Sequence, residues 1–429
     1  MADLRDMALW SQLRSPRFAL LLLTLALCLV RSRDQPGMNI GIGSTTATVV
    51  PADLAVVVLG IVGVAALARR GLPRVTWLAV GSGLVFCLLI LVSGAANGAV
   101  AFVSGAKLVE LAALGIGTVA LLRTPRHLEA IIDVLLLFTL AADVVGLVRF
   151  ATGGGGRQAS FLGEHDFAAL AALPLLYGLT LVVARRAGRR ALLAIVSGSI
   201  GCILGAALAS LLSLYLGAAV LVGVALVQRR LDLRAAAATA AVLVAVTAGT
   251  LTLRSGDLGF LQSWFGKPAS HPGQYASSWS QRLILAYVGG RIFIDHPVLG
   301  TGWYGELPPA EFTRYLPDAH RRFSDQPSRY FPQPNTKFIP QQTFDEVLYE
   351  LGVVGGVAML GLLIGLGRAC ARTAARAGGA LALLPAAWLA AAIGAMAGEG
   401  LFGGASLAAI FWLVAGVALA LATTPEAAG

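Results

Sequence analysis

HLEAIIDVLLLFTLAADVVGL, residues 127–147, is an apolar run interrupted by only two carboxylates deep inside it, Asp133 and Asp143. At 1.5 Å per residue such a run spans a hydrocarbon core of about 30 Å as an α-helix. Helix is what lipid demands, because backbone amides find no water there and must bond within their own segment. Outward from this stretch, comparable runs recur near 17–30, 52–68, 75–96, 100–122, 128–149, 166–184, 191–209, 211–227, 235–253, 344–366, 380–397 and 405–423. The chain of 429 residues is 57% hydrophobic and 13% charged, with a mean hydropathy of +0.79, whereas an average soluble domain is about 25% charged. A cytosolic enzyme, a disordered chain and a disulfide-stapled secreted domain are thereby excluded. The fold class is all-α: a polytopic integral membrane protein of about twelve transmembrane helices with one large extracytoplasmic loop.

The first run, Phe18 to Val30, has the basic approach of a signal sequence, but no small-residue cleavage site follows in RSRDQPG, so it reads as a short first span. Cys28, Cys87, Cys202 and Cys370 lie in or at the ends of apolar runs without metal-ligand spacing and read as small core residues. The net charge of +10 marks topology rather than a nucleic-acid partner, because Lys and Arg concentrate in cytoplasmic loops. With the N-terminus inside, the inner loops hold eighteen arginines, while the short outer loops hold only Arg31, Arg33, Arg149 and Arg157. Both termini are then cytoplasmic. The organisation reads as helices one to nine over 1–253, an outer loop over 254–343, and helices ten to twelve over 344–429.

That loop breaks with the membrane composition. Residues 254–341 hold 15 of the 32 aromatics and 10 of the 18 prolines, so recognition chemistry is expected there. Its middle predicts an amphipathic helix from about Ser278 to Ile294, stopped by Pro297 and Gly300, and its remainder an irregular cap. Within that helix Arg282 and Arg291 are nine residues apart and point to opposite faces, one toward the bundle and one toward water or headgroups. No internal repeat is evident, which weighs against a transporter built of repeated halves.

Ionisable groups inside spans are functional candidates. Lys107 and Glu110, three apart, share a helix face and read as a structural pair; Asp133 and Asp143 either cap their span or face a wet cavity; Glu399 reads as part of a solvated turn. Arg157 follows four glycines in ATGGGGRQASFLGEHDF. A glycine run lets amides approach an anion and a guanidinium grips phosphate bidentately, although a flexible loop with one solvated charge fits the same residues.

Three segments together resemble the O-antigen ligase and O-antigen polymerase superfamily of bacterial envelope glycosyltransferases. They are the glycines and Arg157 leading into GEHDFAALAALPLL, then QRLILAYVGGRIFIDHPVLGTGWYGE with its P-x-x-G-x-G turn, then QQTFDEVLYELGVVGG. The resemblance implies transfer of a glycan from an undecaprenyl-diphosphate carrier to an acceptor hydroxyl on a glycan, lipid or protein, at the outer face of the inner membrane and without metal or other cofactor. Arg157 and Arg282 match the family's cations for the diphosphate, and Arg291 joins them as a candidate. Glu350 and the glycines after it would shape the helix end beneath the site.

Two positions depart from the family. Gln341 stands where many members have the histidine proposed to activate the acceptor; glutamine can orient a hydroxyl but cannot take its proton. Asp345, one turn on, is the first choice for a substitute base, its other role being an N-terminal helix charge. Leu214 stands where an arginine is expected, so one cation is absent or displaced. Two further readings remain: a permease or flippase for lipid-linked saccharide, and a catalytically silent relative that binds the carrier.

Overall fold

The computed structural model describes residues 8–43, 45–153, 155–254, 276–305, 309–334, 342–398 and 405–424. It is 78% helical. After a short α1 (Ala8–Gln12) come α2 (Pro16–Leu29), a two-stranded hairpin of β1 (Met38–Ile42) and β2 (Thr45–Val49), and α3 (Pro51–Arg70). There follow α4 (Trp77–Ala96), α5 (Ala99–Glu110), α6 (Ala112–Leu121), α7 (Pro125–Thr152), α8 (Glu164–Val183), α9 (Arg189–Gly205), α10 (Leu208–Val227) and α11 (Leu233–Leu253). The remainder holds α12 (Ala276–Asp295), α13 (Pro309–Arg322), α14 (Thr343–Arg376), α15 (Leu384–Met396) and α16 (Ala405–Thr423).

Each apolar run of the sequence is helical. Among the described residues, nine segments are long and apolar enough to cross a membrane, α5 and α6 counting as one; α2 and α15 are shorter apolar helices. The opening stretch forms the 28-residue α7, started by Pro125 in its first turn and by the Thr124 hydroxyl, which accepts from the His127 amide at 3.3 Å. Its carboxylates find partners in the bundle: Asp133 accepts from Arg190 at 2.5 Å, and Asp143 from the Ser197 hydroxyl at 2.5 Å.

Burial divides the helices. α8 and α16 are enclosed, whereas α3, α4 and α11 turn apolar side chains such as Leu54, Ile61, Val92 and Val244 outward. An apolar exterior of this kind suits lipid. Small residues set the tightest contacts: a β-carbon on Gly198 of α9 would lie 2.7 Å from the Ala171 carbonyl of α8, so these backbones meet only because glycine stands there.

The connections sort to two ends. At one, Arg70 donates to the Ala120 carbonyl, Gln228 to that of Ala374, and Arg185 pairs with Asp232. The other carries the hairpin, the α7–α8 linker, the α9–α10 turn and the lobe formed by α12 and α13. The lobe has its own core, in which Ile284, Val288 and Ile292 of α12 meet Phe312, Tyr315 and Leu316 of α13, with Tyr349 of α14 beneath.

Three expectations change. The hairpin makes the chain not purely all-α; its register runs from Met38 opposite Val49 to Ile42 opposite Thr45. The loop beyond α12 is not wholly irregular, because α13 continues through Pro317 and lays Phe312, Tyr315, Leu316 and Ala319 on α12 at the 3–4–7 spacing of one helical face. Lys107 contacts Asp53 of α3 more closely than Glu110, which is 3.6 Å away, so the expected pair is a triad.

Candidate functional site

The site is built on the turn between α9 and α10. Ala206, which closes α9, has φ 44° and ψ 38°, a left-handed conformation that costs an L-residue about 1–2 kcal/mol and persists only where neighbours hold it. They do so through three successive carbonyls. Leu204 accepts from the Gln158 amide at 2.8 Å, Gly205 from Arg157 Nε at 3.2 Å, and Ala206 from Arg254 Nη1 at 3.0 Å. Two guanidinium groups from remote parts of the chain are thus mounted on consecutive residues. Arg157 keeps only 9% of its side chain exposed and pairs with Glu164, the first residue of α8, at 2.7 Å; Arg254 as a residue is also 9% exposed.

From this turn α10 begins at Leu208, with Ala207 as N-cap supplying no side-chain bond. The positive end of a 20-residue helix therefore faces the same region. Ala209, in its first turn, packs against Gly398 beyond α15, and Arg282 Nη1 lies 3.7 Å from where a β-carbon on Gly398 would be. Three arginines, from the α7–α8 linker, the end of α11 and α12, meet around one helix start. The linker is pinned from behind, since Arg149 donates to the Ser160 carbonyl, Arg31 to that of Leu162, and the Ser160 hydroxyl to that of Ala142 at 2.7 Å.

The turn after α12 locks into a break in α14. Gly352 has φ 62° and ψ −161°, which interrupts the helix and opens its bonding groups. The Val353 and Val354 amides donate to the carbonyls of Pro297 and Val298, at 2.8 and 3.2 Å. In return the Thr301 and Gly302 amides donate to the carbonyls of Tyr349 and Glu350, at 2.9 and 2.8 Å. A β-carbon on Gly300, at φ 66°, would overlap the Glu350 carbonyl group. The P-x-x-G-x-G turn and the E-x-G of the following segment are two halves of one joint.

Glu350 is fully buried in this joint, and Glu346, one turn earlier, is equally buried. Asp345, in the first turn of α14, is half-buried. Arg291 leaves the opposite side of α12 and pairs with Asp318 of α13 at 3.5 Å, where Tyr287 also donates to Asp318 at 2.6 Å. These partners hold the Asp318 carboxyl below its usual range and push the Tyr287 phenol up. The arginines expected on opposite faces do diverge, Arg282 toward the bundle and Arg291 toward α13. Leu214 is buried in the core. Gln341 and Glu399 lie outside the described residues. Sequence reasoning missed Arg254, which has no motif spacing to Arg157 or Arg282.

Residues 191–360 match the family described as O-Antigen ligase. This part of the chain is similar to the O-antigen ligase family. No curated protein matches the chain. The O-antigen ligase segment runs from the start of α9 into α14, so it contains the turn at Ala206, Arg254, Arg282 and the joint at Gly352; Arg157 reaches it from the preceding linker. The family sets the chain in cell-envelope polysaccharide biosynthesis of the O-antigen ligase or polymerase type.

Proposed function

We propose that the chain transfers a glycan from undecaprenyl diphosphate to an acceptor hydroxyl at the outer face of the inner membrane, as a ligase or polymerase. The observation that carries this reading is the meeting of arginines at the uncapped start of α10. When a hydroxyl attacks the anomeric carbon, its new C–O bond forms as the bond from that carbon to the diphosphate oxygen breaks, with inversion. The electron pair leaves on the diphosphate, and Arg157, Arg282 and the α10 amides stabilise that growing charge. The hydroxyl proton needs a base, for which Asp345 has the chemistry and the partial exposure. Glu350 acts through the joint, as a positioning residue. Twelve crossings with both termini cytoplasmic bring this end of the bundle outside, in accord with the few arginines of its short loops. The carrier's polyprenyl tail would lie along the apolar exterior.

The test is glycan transfer by purified protein in nanodiscs, with undecaprenyl-diphosphate oligosaccharide, candidate acceptors and EDTA. Arg282→Ala is expected to lower the rate by about 10²–10³-fold. Carrier binding without transfer to any acceptor would sink the transferase reading.

A permease reading draws on one observation. The Asp53, Lys107 and Glu110 triad lies within the apolar segments of α3 and α5, and ionisable groups inside spans mark substrate and ion pathways. Movement of labelled carrier across liposomes, lost on Lys107→Ala and unchanged by Arg282→Ala, would favour it.

A further inference from the structure

We infer that the cavity between α3, α4, α6 and α16 holds an acyl chain of an anionic phospholipid, whose phosphate sits on Arg70 and Arg123 in the leaflet at the arginine-rich end of the bundle. This goes beyond glycan transfer and does not depend on it. The cavity has a volume of about 660 Å³, within the range of small-molecule sites. Leu362 of α14 and Trp412 of α16, both buried, form its back, whereas Val64 of α3 and Leu84 of α4, both more than half exposed, border its opening. An opening bordered by lipid-facing apolar side chains is reached by lipid rather than by a soluble ligand. Along α4 the cavity runs from Ala79 to Cys87, about 12 Å at 1.5 Å per residue, which is most of one leaflet of a core of about 30 Å.

The charges stand at one end. Gly71 and Leu72, just after α3, line the cavity beside Arg70, which is exposed and donates to the Ala120 carbonyl at 3.1 Å. Arg123 donates to the same carbonyl at 3.2 Å, and Ala120 follows Val119 of the cavity wall. Two guanidinium groups thus meet on one carbonyl; burial, and then the charge of Arg70, pushes the Arg123 guanidinium below its usual range. Each fork carries five N–H donors, so both keep donors for a phosphate after this bond. Trp77 fixes the depth: its exposed indole donates to the Leu72 carbonyl at 3.0 Å, and tryptophan at a span's end belongs at headgroup level. At the other end of the cavity Glu110 already pairs with Lys107 at 3.6 Å, so an anionic head finds its complement at Arg70 and Arg123. Basic pockets between spans on the cytoplasmic side are sites for anionic lipid heads, and arginine-rich loops mark that side.

The full-length protein in detergent is titrated with phosphatidylglycerol and with phosphatidylcholine of the same chains, and bound lipid is counted by native mass spectrometry. Wild type is expected to take one phosphatidylglycerol at least about 10-fold more tightly than phosphatidylcholine, since each arginine near the surface is worth about fivefold. Arg70→Gln combined with Arg123→Gln should lose that preference, and the corresponding pair of Lys replacements should keep it within about 3-fold. Ala68→Trp, which fills the cavity from an exposed position on α3, should displace the lipid with both arginines intact. Unfolding midpoints without added lipid should match wild type; if the double Gln variant unfolds early, Arg70→Gln alone decides, with an expected loss of about fivefold. Equal affinity of wild type for both lipids, or an unchanged preference in the Gln variants, would overturn the inference. So would full binding in Ala68→Trp, which would place the lipid on the outer surface of the bundle. Displacement of phosphatidylglycerol by undecaprenyl phosphate at lower concentration would overturn it too, by making the cavity a seat for the carrier.

Discussion

Gly352 shows how much one residue determines here. Its φ of 62° with ψ of −161° lies in a region open almost only to glycine, and a β-carbon would run into the Val298 carbonyl group. Replacement would have to undo the joint that seats Glu350. Gly352→Ala is expected to destabilise the protein by about 2–4 kcal/mol and to lower transfer with it. Gly367→Ala, farther along α14 with open space around it, should change neither. Unfolding midpoints of the detergent-purified variants measure this, and a Gly352→Ala protein as stable as wild type would show that the helix break is not required. Arg291 offers the contrast: its pair with Asp318 is partly exposed and contributes little to stability. Arg291→Ala should keep transfer within about 3-fold of wild type, against the loss of about 10² expected for Arg282→Ala.

Among the elements, the lobe is where pH acts most legibly. Asp318 is held below its ordinary value of 3.8 by the Tyr287 hydroxyl and then Arg321, with Arg291 adding its charge. A carboxyl depressed in the fold contributes stability above its unfolded pKa, and that contribution is lost as pH falls through the lower folded value. The α12–α13 contact is therefore expected to hold unchanged from pH 8 to 5 and to loosen only below about 4. Asp318→Asn should abolish that acid dependence, as read by protease cleavage near α13; an unchanged acid transition in the variant would assign it to another group. α13 was also the element least visible beforehand. Phe312, Tyr315, Leu316 and Ala319 carry its periodicity in plain sight, but Pro317 and the surrounding prolines read as loop punctuation. The spans were legible because hydrocarbon imposes one answer on a 20-residue apolar run. The hairpin was not, since five-residue strands rich in Gly and Thr carry no comparable signal. Arg157, Arg282 and Glu350 were found through motifs, whereas Arg254 meets Ala206 across 48 residues by a tertiary contact that no spacing encodes.

At the scale of the whole molecule, the two ends differ in charge and in what they carry. The end with Arg70, Arg185 and Gln228 collects the arginine-rich loops, and the opposite end collects the turn at Ala206, the joint at Gly352 and the lobe. If positive loops stay inside, every group assigned to the diphosphate faces out, where a flipped lipid-linked glycan would be presented. The four native cysteines make this directly testable, because Cys28, Cys87, Cys202 and Cys370 are all buried and should react poorly with a bulky reagent. Ser324, exposed in the lobe, and Ala187, exposed between α8 and α9, are at opposite ends. A membrane-impermeant maleimide applied to intact spheroplasts should label Ser324→Cys and spare Ala187→Cys, with Ala187→Cys becoming reactive once the membrane is opened. The reverse pattern would put the arginine cluster on the cytoplasmic side, where the donor has not yet been flipped, and would remove the topological support for an outer-face transferase. Labelling of both positions in sealed cells would mean that α9, α10 and α11 do not all cross the membrane.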